Sequence, residues 1–201
     1  MSATAPLHID ALGHRGEGIA RFDGGRVFIP RTLPGETVIA GISGNRGQLL
    51  AIDTPSPDRI APFCPHFDHC GGCQLQHMAP QAYAAFKRSL VVEALDRAGI
   101  SAEIAPLVDA RGAGRRRATL HATGQRAGFS GLRSHEIADL DTCPILVPAL
   151  ANAPAIARDL ARLTGPCDVT LTATASGLDV ALRGKGLRNY PRLAEVARTH
   201  D

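Results

Sequence analysis

Five cysteines occur in 201 residues, and three of them fall within ten positions, in Cys64-Pro-His-Phe-Asp-His-Cys70-Gly-Gly-Cys73. A fourth follows far downstream in Asp-Thr-Cys143-Pro-Ile-Leu. Packing alone does not call for three sulfurs around a double glycine; a ligand does. Thiolates are soft donors that suit zinc, copper(I) and iron–sulfur clusters. Four of them with no open position describe either a structural zinc or a cubane cluster.

Spacing bears on that choice. Zinc ribbons usually present two Cys-x-x-Cys knuckles, whereas here one knuckle, Cys70-Gly-Gly-Cys73, is joined by Cys64 and by the remote Cys143. The three-plus-one layout favours a [4Fe-4S] cluster, with zinc as the alternative. Gly71 and Gly72 fit a backbone that must turn tightly between two ligands and bring amide groups close to them. Pro65 and Pro144 each follow a ligand and fix the chain direction. With four sulfurs completing a site, His66, His69 and His77 are read as surface loop residues. Cys167, alone before a strand, is read as a small buried residue.

The formal charge is only +3, yet Lys87 and Lys185 are the sole lysines among 22 basic residues. Arginine's rigid fork suits phosphate and base contacts, although an arginine-biased genome would give the same count. Hydrophobic residues make up 44% and charged residues 20%, with 21 Gly and 14 Pro, so the chain is globular and rich in turns. No apolar run nears the ~20 residues of a membrane helix, and Met-Ser-Ala-Thr-Ala-Pro lacks the pattern of a secretion signal. These features point to a cytoplasmic protein, no membrane partner and a monomer. In a reducing compartment, clustered thiols bind metal and do not form disulfides.

The elements that must position these groups fall in two units. From Leu7 to Ile52, short apolar runs alternate with turns at Gly13–Gly18, Asp23-Gly24-Gly25, Pro34-Gly35 and Ser43-Gly44-Asn45; four or five strands at this spacing make a small barrel over residues 1–54. Thr54-Pro-Ser-Pro-Asp58 reads as a linker. Residues 59–201 then form an α+β unit. Pro80 opens a helix to Ala98 in which Tyr83, Phe86, Leu90, Val91, Ala94 and Leu95 make an apolar face. Strands are expected at Arg115–Ala122, Ala127–Phe129 and Glu136–Leu140, and a helix carrying Ile156, Leu160 and Leu163 is expected to end at Gly165-Pro166. A hairpin follows, Val169–Thr174 with Leu178–Leu182, and then a helix over Leu187–Thr199 with Tyr190, Leu193, Val196 and Ala197 on one face.

Two stretches carry a family resemblance. Gly16-Glu-Gly18-Ile-Ala-Arg21, Asp23-Gly24, Val27-Phe28-Ile29-Pro30 and Leu33-Pro34-Gly35-Glu36 resemble a TRAM domain, an OB-like RNA-binding barrel. Cys64-x5-Cys70-Gly-Gly-Cys73-x-Leu-Gln76-His77, with Arg115-Arg116-Arg117-Ala118 and Cys143-Pro144-Ile145-Leu146, is similar to the central domain of the bacterial class I S-adenosylmethionine-dependent RNA (uracil-C5) methyltransferases, the class that makes 5-methyluridine in 23S rRNA. The resemblance implies that Cys64, Cys70, Cys73 and Cys143 hold a [4Fe-4S] cluster. TRAM barrels also occur in radical methylthiotransferases, but their Cys-x3-Cys-x2-Cys motif does not match the five-residue gap after Cys64. Family members continue into a Rossmann-like domain with a glycine-rich S-adenosylmethionine loop, a cysteine nucleophile and an acidic base. None of these motifs stands here, since Gly13-His-Arg-Gly16-Glu-Gly18 sits in a strand-to-strand turn. The chain is therefore expected to be the N-terminal portion of such an enzyme, with no catalytic residue of its own and S-adenosylmethionine bound only through the missing domain, which the helix at 80–98 would help to cover.

RNA, rRNA in particular, is the expected partner. Arg15, Arg21, Arg26 and Arg31 surround the barrel turns. Strand alternation would put Arg115 and Arg117 on one face and Arg116 on the other. Phe22, Phe28, Phe63, Phe67 and Phe129 are the aromatics available for stacking, most of them expected in the core. The rival readings are a stand-alone, non-catalytic RNA-binding iron–sulfur protein and a zinc-stabilised adaptor.

Overall fold

The computed structural model describes residues 3–109, 114–185 and 192–200. Five strands close the first barrel: β1 (Ala3–Leu12), β2 (Gly18–Phe22), β3 (Gly25–Ile29), β4 (Thr37–Ser43) and β5 (Arg46–Thr54), in the order β1-β2-β3-β5-β4. The β2–β3 hairpin turns through Asp23 and Gly24 at φ 48° and 73°, a pair of positive φ values that matches the right-handed twist of the flanking strands. Pairing of β1 with β4, from Ala3↔Ile42 to His8↔Thr37, removes the open edge. Alternate residues point inward, and Leu7, Ile9, Ala20, Val27, Ile29, Val38, Ala40 and Ile42 fill the interior.

By contacts, the chain divides into one unit of Met1–Pro62 with Gln74–Val108 and another of Phe63–Cys73 with Asp109–Asp201. The expected linker at Thr54–Asp58 is thus built onto the barrel, and the reason is a buried carboxylate. Glu36 is fully enclosed and accepts from the amide of Leu33 at 2.8 Å, from the amide of Ser56 at 3.3 Å, and from the Arg59 fork at 2.5 and 2.9 Å. Arg59 also donates to the Arg31 carbonyl at 2.8 Å. Burial raises the Glu36 pKa, but the Arg59 fork and the two amides more than offset it and hold the carboxyl below its usual value.

His77 belongs to this cluster. It is 1% exposed, not a surface loop residue, because residues 74–79 fold back on the first unit: Ile60 donates to the His77 carbonyl at 2.9 Å and Ala79 to the Asp58 carbonyl at 2.8 Å. Burial, with the Arg59 charge second, lowers its pKa from 6.5 to about 4. The helix α1 (Pro80–Arg97) starts at the expected proline; none of its residues is fully buried, and Val91 is 46% exposed. The Arg88 guanidinium donates to the Ile104 carbonyl, tying the helix to the extended chain that follows.

In the second unit β6 (Arg117–Ala122), β7 (Ala127–Ser130), β8 (Ile137–Asp139), β9 (Cys167–Thr174) and β10 (Gly177–Arg183) form a sheet in the order β10-β9-β6-β7-β8, antiparallel throughout. The amphipathic helix α2 (Ala153–Thr164) lays Ile156, Ala157, Leu160 and Ala161 on the inward residues Ala118, Leu120, Val169 and Leu171. Each Leu or Ile so enclosed contributes about 1.5–3 kcal/mol relative to exposure. α2 stops at Gly165, whose φ of 80° suits glycine. Cys167 is buried, as expected, with its sulfur 3.5 Å from the Thr164 hydroxyl. A short helix α3 (Leu193–Thr199) lies within the span expected to be helical; Tyr190 falls outside the described residues.

Two stability measurements follow. Glu36→Gln leaves Arg59 beside a neutral amide, and breaking a buried pair from one side costs about 3–5 kcal/mol, so the urea midpoint should drop sharply at neutral pH. His77 has a folded-state pKa below its unfolded one, so its contribution is complete above pH 6.5 and is lost as pH falls toward 4. The loss amounts to about 3 kcal/mol over that window. A denaturation midpoint that declines from pH 7 to pH 4.5, and declines less in His77→Phe, is expected; a flat profile would show that the fold does not keep His77 neutral.

Candidate metal centre and nucleic-acid surface

The cysteine loop belongs to the second unit because its backbone pairs there. Cys70 bridges Gly131, the Gly71 amide donates to the Ser130 carbonyl at 2.9 Å, and the Leu132 amide donates to the His69 carbonyl. The double glycine is sterically required. A Cβ on Gly71 would lie 2.7 Å from the Ser130 carbonyl oxygen, and one on Gly72 would meet the Phe129 ring at 3.0 Å. The Gly72 amide points at the Cys70 sulfur, 3.3 Å away, the kind of amide-to-sulfur contact that holds a charged thiolate.

Cys143 reaches the same place from β8. It is half-buried against the core of this unit, and a tight turn follows it, with the Leu146 amide donating to its carbonyl at 3.0 Å. Burial pushes its thiol pKa up; the Ile145 amide opposes this, and Cys73, Cys64 and Cys70 each add to the rise. The remote Cys143 thus feels the three thiols of the loop electrostatically. Among the described residues no group of three His, Cys, Asp or Glu side chains is arranged to hold a metal ion. The donor set nonetheless fits a soft metal or cluster: four thiols, on a glycine cradle that excludes a Cβ. His66 is half-buried and His69 exposed.

The arginine triplet sits beside Cys143. Arg115 bridges Leu146 in parallel, donating its amide to Ile145 at 2.6 Å and accepting from Val147 at 3.1 Å. Strand β6 begins only at Arg117, so Arg115 and Arg117 do not share a strand face as expected. The Arg116 guanidinium donates to the Ala173 carbonyl at 3.2 Å, which fixes its direction. All three are exposed. Past Arg117 the outward side of the sheet carries a polar strip that sequence reading missed: Thr119 and Thr170 join their hydroxyls at 2.8 Å, and His121 meets Asp168 at 2.6 Å. The alternation in Thr119-Leu120-His121 and Asp168-Val169-Thr170 was its only signal.

On the barrel, register brings Arg21 directly opposite Arg26 across β2 and β3. Pairing of Gly18 with Ile29 puts the Arg15 turn and Arg31 toward the other end of that hairpin. Arg15, Arg21 and Arg26 are exposed; Arg31 is half-buried at φ 64°, its carbonyl held by Arg59. Of the aromatics, Phe67 is core and Phe63 is 54% exposed, while Phe22, Phe28 and Phe129 are half-buried. No described helix is long and apolar enough to cross a membrane.

Residues 3–50 match the TRAM domain family. The chain is 40% identical over 196 residues to an uncharacterized RNA methyltransferase of Brucella suis, covering 94% of this chain and 47% of that protein. It is 42% identical over 192 residues to an uncharacterized RNA methyltransferase of Caulobacter vibrioides, with 89% and 46% covered. It is also 40% identical over 159 residues to the 23S rRNA (uracil(1939)-C(5))-methyltransferase RlmD of Halomonas elongata, with 73% and 33% covered. The chain spans about half the length, or less, of the curated relatives it matches. With a closed five-stranded barrel over the matched residues and identity running on through the second unit, the chain carries a TRAM domain and is similar along both units to proteins named RNA methyltransferases, among them a 23S rRNA uracil-C5 methyltransferase.

Proposed function

We propose that these 201 residues are the RNA-recognition and [4Fe-4S]-bearing portion of an S-adenosylmethionine-dependent RNA uracil-C5 methyltransferase acting on rRNA. The observation that carries this reading is that Cys143 lies within electrostatic reach of the Cys64, Cys70 and Cys73 thiols, on the same short segment that pairs with Arg115. Cys64, Cys70, Cys73 and Cys143 would hold the cluster, which when bound supplies a covalent tie between a loop and a remote strand end and no electron transfer. A single tetrahedral ion, with bonds of about 2.3 Å to sulfur, draws four thiolates tightly together. A four-iron cube spreads them further apart.

The residues of the chain do the rest. Gly71 and Gly72 let the loop lie against β7. Arg115, Arg116 and Arg117 present guanidinium groups beside the cysteine segment, where phosphates of a folded RNA would dock. The barrel arginines add a second set of backbone contacts. No glycine-rich cofactor loop is present in this sequence, so we assign methyl transfer to the part of the relatives' length that this chain does not span.

Anaerobic purification is expected to give a brown protein with about four irons and four sulfides per chain. Cys143→Ser should lose most of both. Gly71→Ala, which forces a Cβ against the Ser130 carbonyl at 2.7 Å, should lose part, whereas Gly41→Ala, meeting only Leu50 at 3.8 Å, should lose none. One zinc per chain without sulfide would replace the cluster reading. Charge reversal at Arg115 and Arg117 together should weaken rRNA-fragment binding by at least tenfold and reduce the slope of log affinity against log salt by about 2. An unchanged slope would remove both residues from the RNA surface.

A further inference from the structure

β3 and β5 close the barrel through one registered pair, Phe28 with Arg46, supported by the Phe28 amide donating to the Asn45 carbonyl at 3.0 Å. Toward the Asp23-Gly24 turn a cavity of about 620 Å³ opens at this seam, with Phe22, Val27, Phe28 and Ile42 as its apolar part and Arg26 and Asn45 among its polar groups. That volume falls in the range of small-ligand sites, about 300–1,000 Å³. The Arg46 guanidinium carbon stands 6.0 Å from the centre of the Phe28 ring.

The charges around this seam are not arranged for stability. Arg21 and Arg26 oppose each other directly across β2 and β3, and like charges in that position repel. Asp10 approaches Arg21 only to 3.8 Å, and the Arg21 side chain is 87% exposed, too exposed for the pair to neutralise it appreciably. An apolar slot edged by an aromatic ring, with three guanidinium groups near it, complements a nucleotide: a flat π face within and phosphates outside. Asp23 also lines the slot and disfavours a bare phosphate inside it, while its carboxylate can accept from a base N–H.

We propose that this seam takes one unpaired base of single-stranded RNA, stacked on Phe28, with its edge on Asn45 and Asp23 and its flanking phosphates on Arg21, Arg26 and Arg46. This inference rests on the reading of the chain as an RNA-recognition unit and gives it an atomic contact.

The test is binding of the 201-residue chain to a labelled single-stranded uridine oligomer, compared with a series of the same oligomer carrying one abasic ribose at each position in turn. One abasic position should weaken binding to the unaltered protein about tenfold, the scale of a single lost stack. In Phe28→Leu that penalty should vanish and the intact oligomer should bind about tenfold more weakly. In Arg46→Gln affinity should fall at low salt while the abasic penalty persists. Should Phe28→Leu fail to fold by circular dichroism, Asn45→Ala in the exposed β4–β5 turn makes the same comparison, with at least a threefold reduction of the penalty expected. RNA binding in which no abasic position matters, or a penalty unaltered in the folded variant, overturns the seam and leaves the wider RNA reading standing. No RNA binding by the unaltered chain overturns both.

Discussion

A carboxylate cannot be enclosed alone, and most of the first unit's architecture follows from how Glu36 is satisfied. Moving an ion of that size out of water costs several kcal/mol even after relaxation, so every lone pair of Glu36 must find a donor. The Leu33 amide lies within its own turn; the Ser56 amide and the Arg59 fork come from across the Thr54–Asp58 segment. Two prolines there remove backbone donors and stiffen the chain, and the stretch reads as a spacer. The carboxylate makes it part of the barrel instead. Arg59 in turn holds the Arg31 carbonyl, and its charge, second to burial, keeps His77 neutral beneath the returning chain.

The thiol site obeys a different constraint. Cysteine ligands on a loop must be held by backbone, because sulfur makes few directional contacts that could hold them before metal arrives. Here the sheet supplies that hold twice. Cys70 and Gly71 pair with the β7–β8 connection, and the turn after Cys143 pairs with Arg115. The three-plus-one spacing is thus the sequence trace of a loop pinned to one sheet edge and a strand end arriving beside it. Burial, with the three other thiols adding to it, favours the protonated thiol at Cys143; on the proposed cluster reading a bound cation would reverse that preference and couple occupancy to loop order.

What could be read from the chain was local, and what could not was relational. Asp23-Gly24 announced its hairpin because few other residues accept two consecutive positive φ values, and Gly165 announced the end of α2 for the same steric reason. The cysteine motif and the barrel followed from spacing. His77 was misread because its burial depends on Glu36 and Arg59, far away in the chain. Periodicity along α1 reports that a helix could bury a stripe, not what covers it; within this chain Tyr83, Phe86 and Leu90 are half-buried while Val91 and Ala94 are exposed. Arg115 was placed in a strand by its neighbours, yet its backbone is claimed by Ile145 and Val147 before β6 begins.

The departures from local consistency fall where the chemistry is expected. Sequences that only fold let propensity, pairing and charge agree. This chain opposes Arg21 to Arg26 on neighbouring strands, runs three exposed arginines into the start of β6, and leaves a barrel seam joined at one residue pair. None of these helps the apolar cores, which are complete without them. With a net charge of only +3, the chain does not rely on a diffuse positive field to attract a polyanion. On the proposed RNA-recognition reading, attraction is concentrated in arginines set on strands and turns, where the backbone fixes their origin and the fork fixes their geometry. Such an arrangement selects for phosphate and base position, and a general affinity for negative charge would not require it.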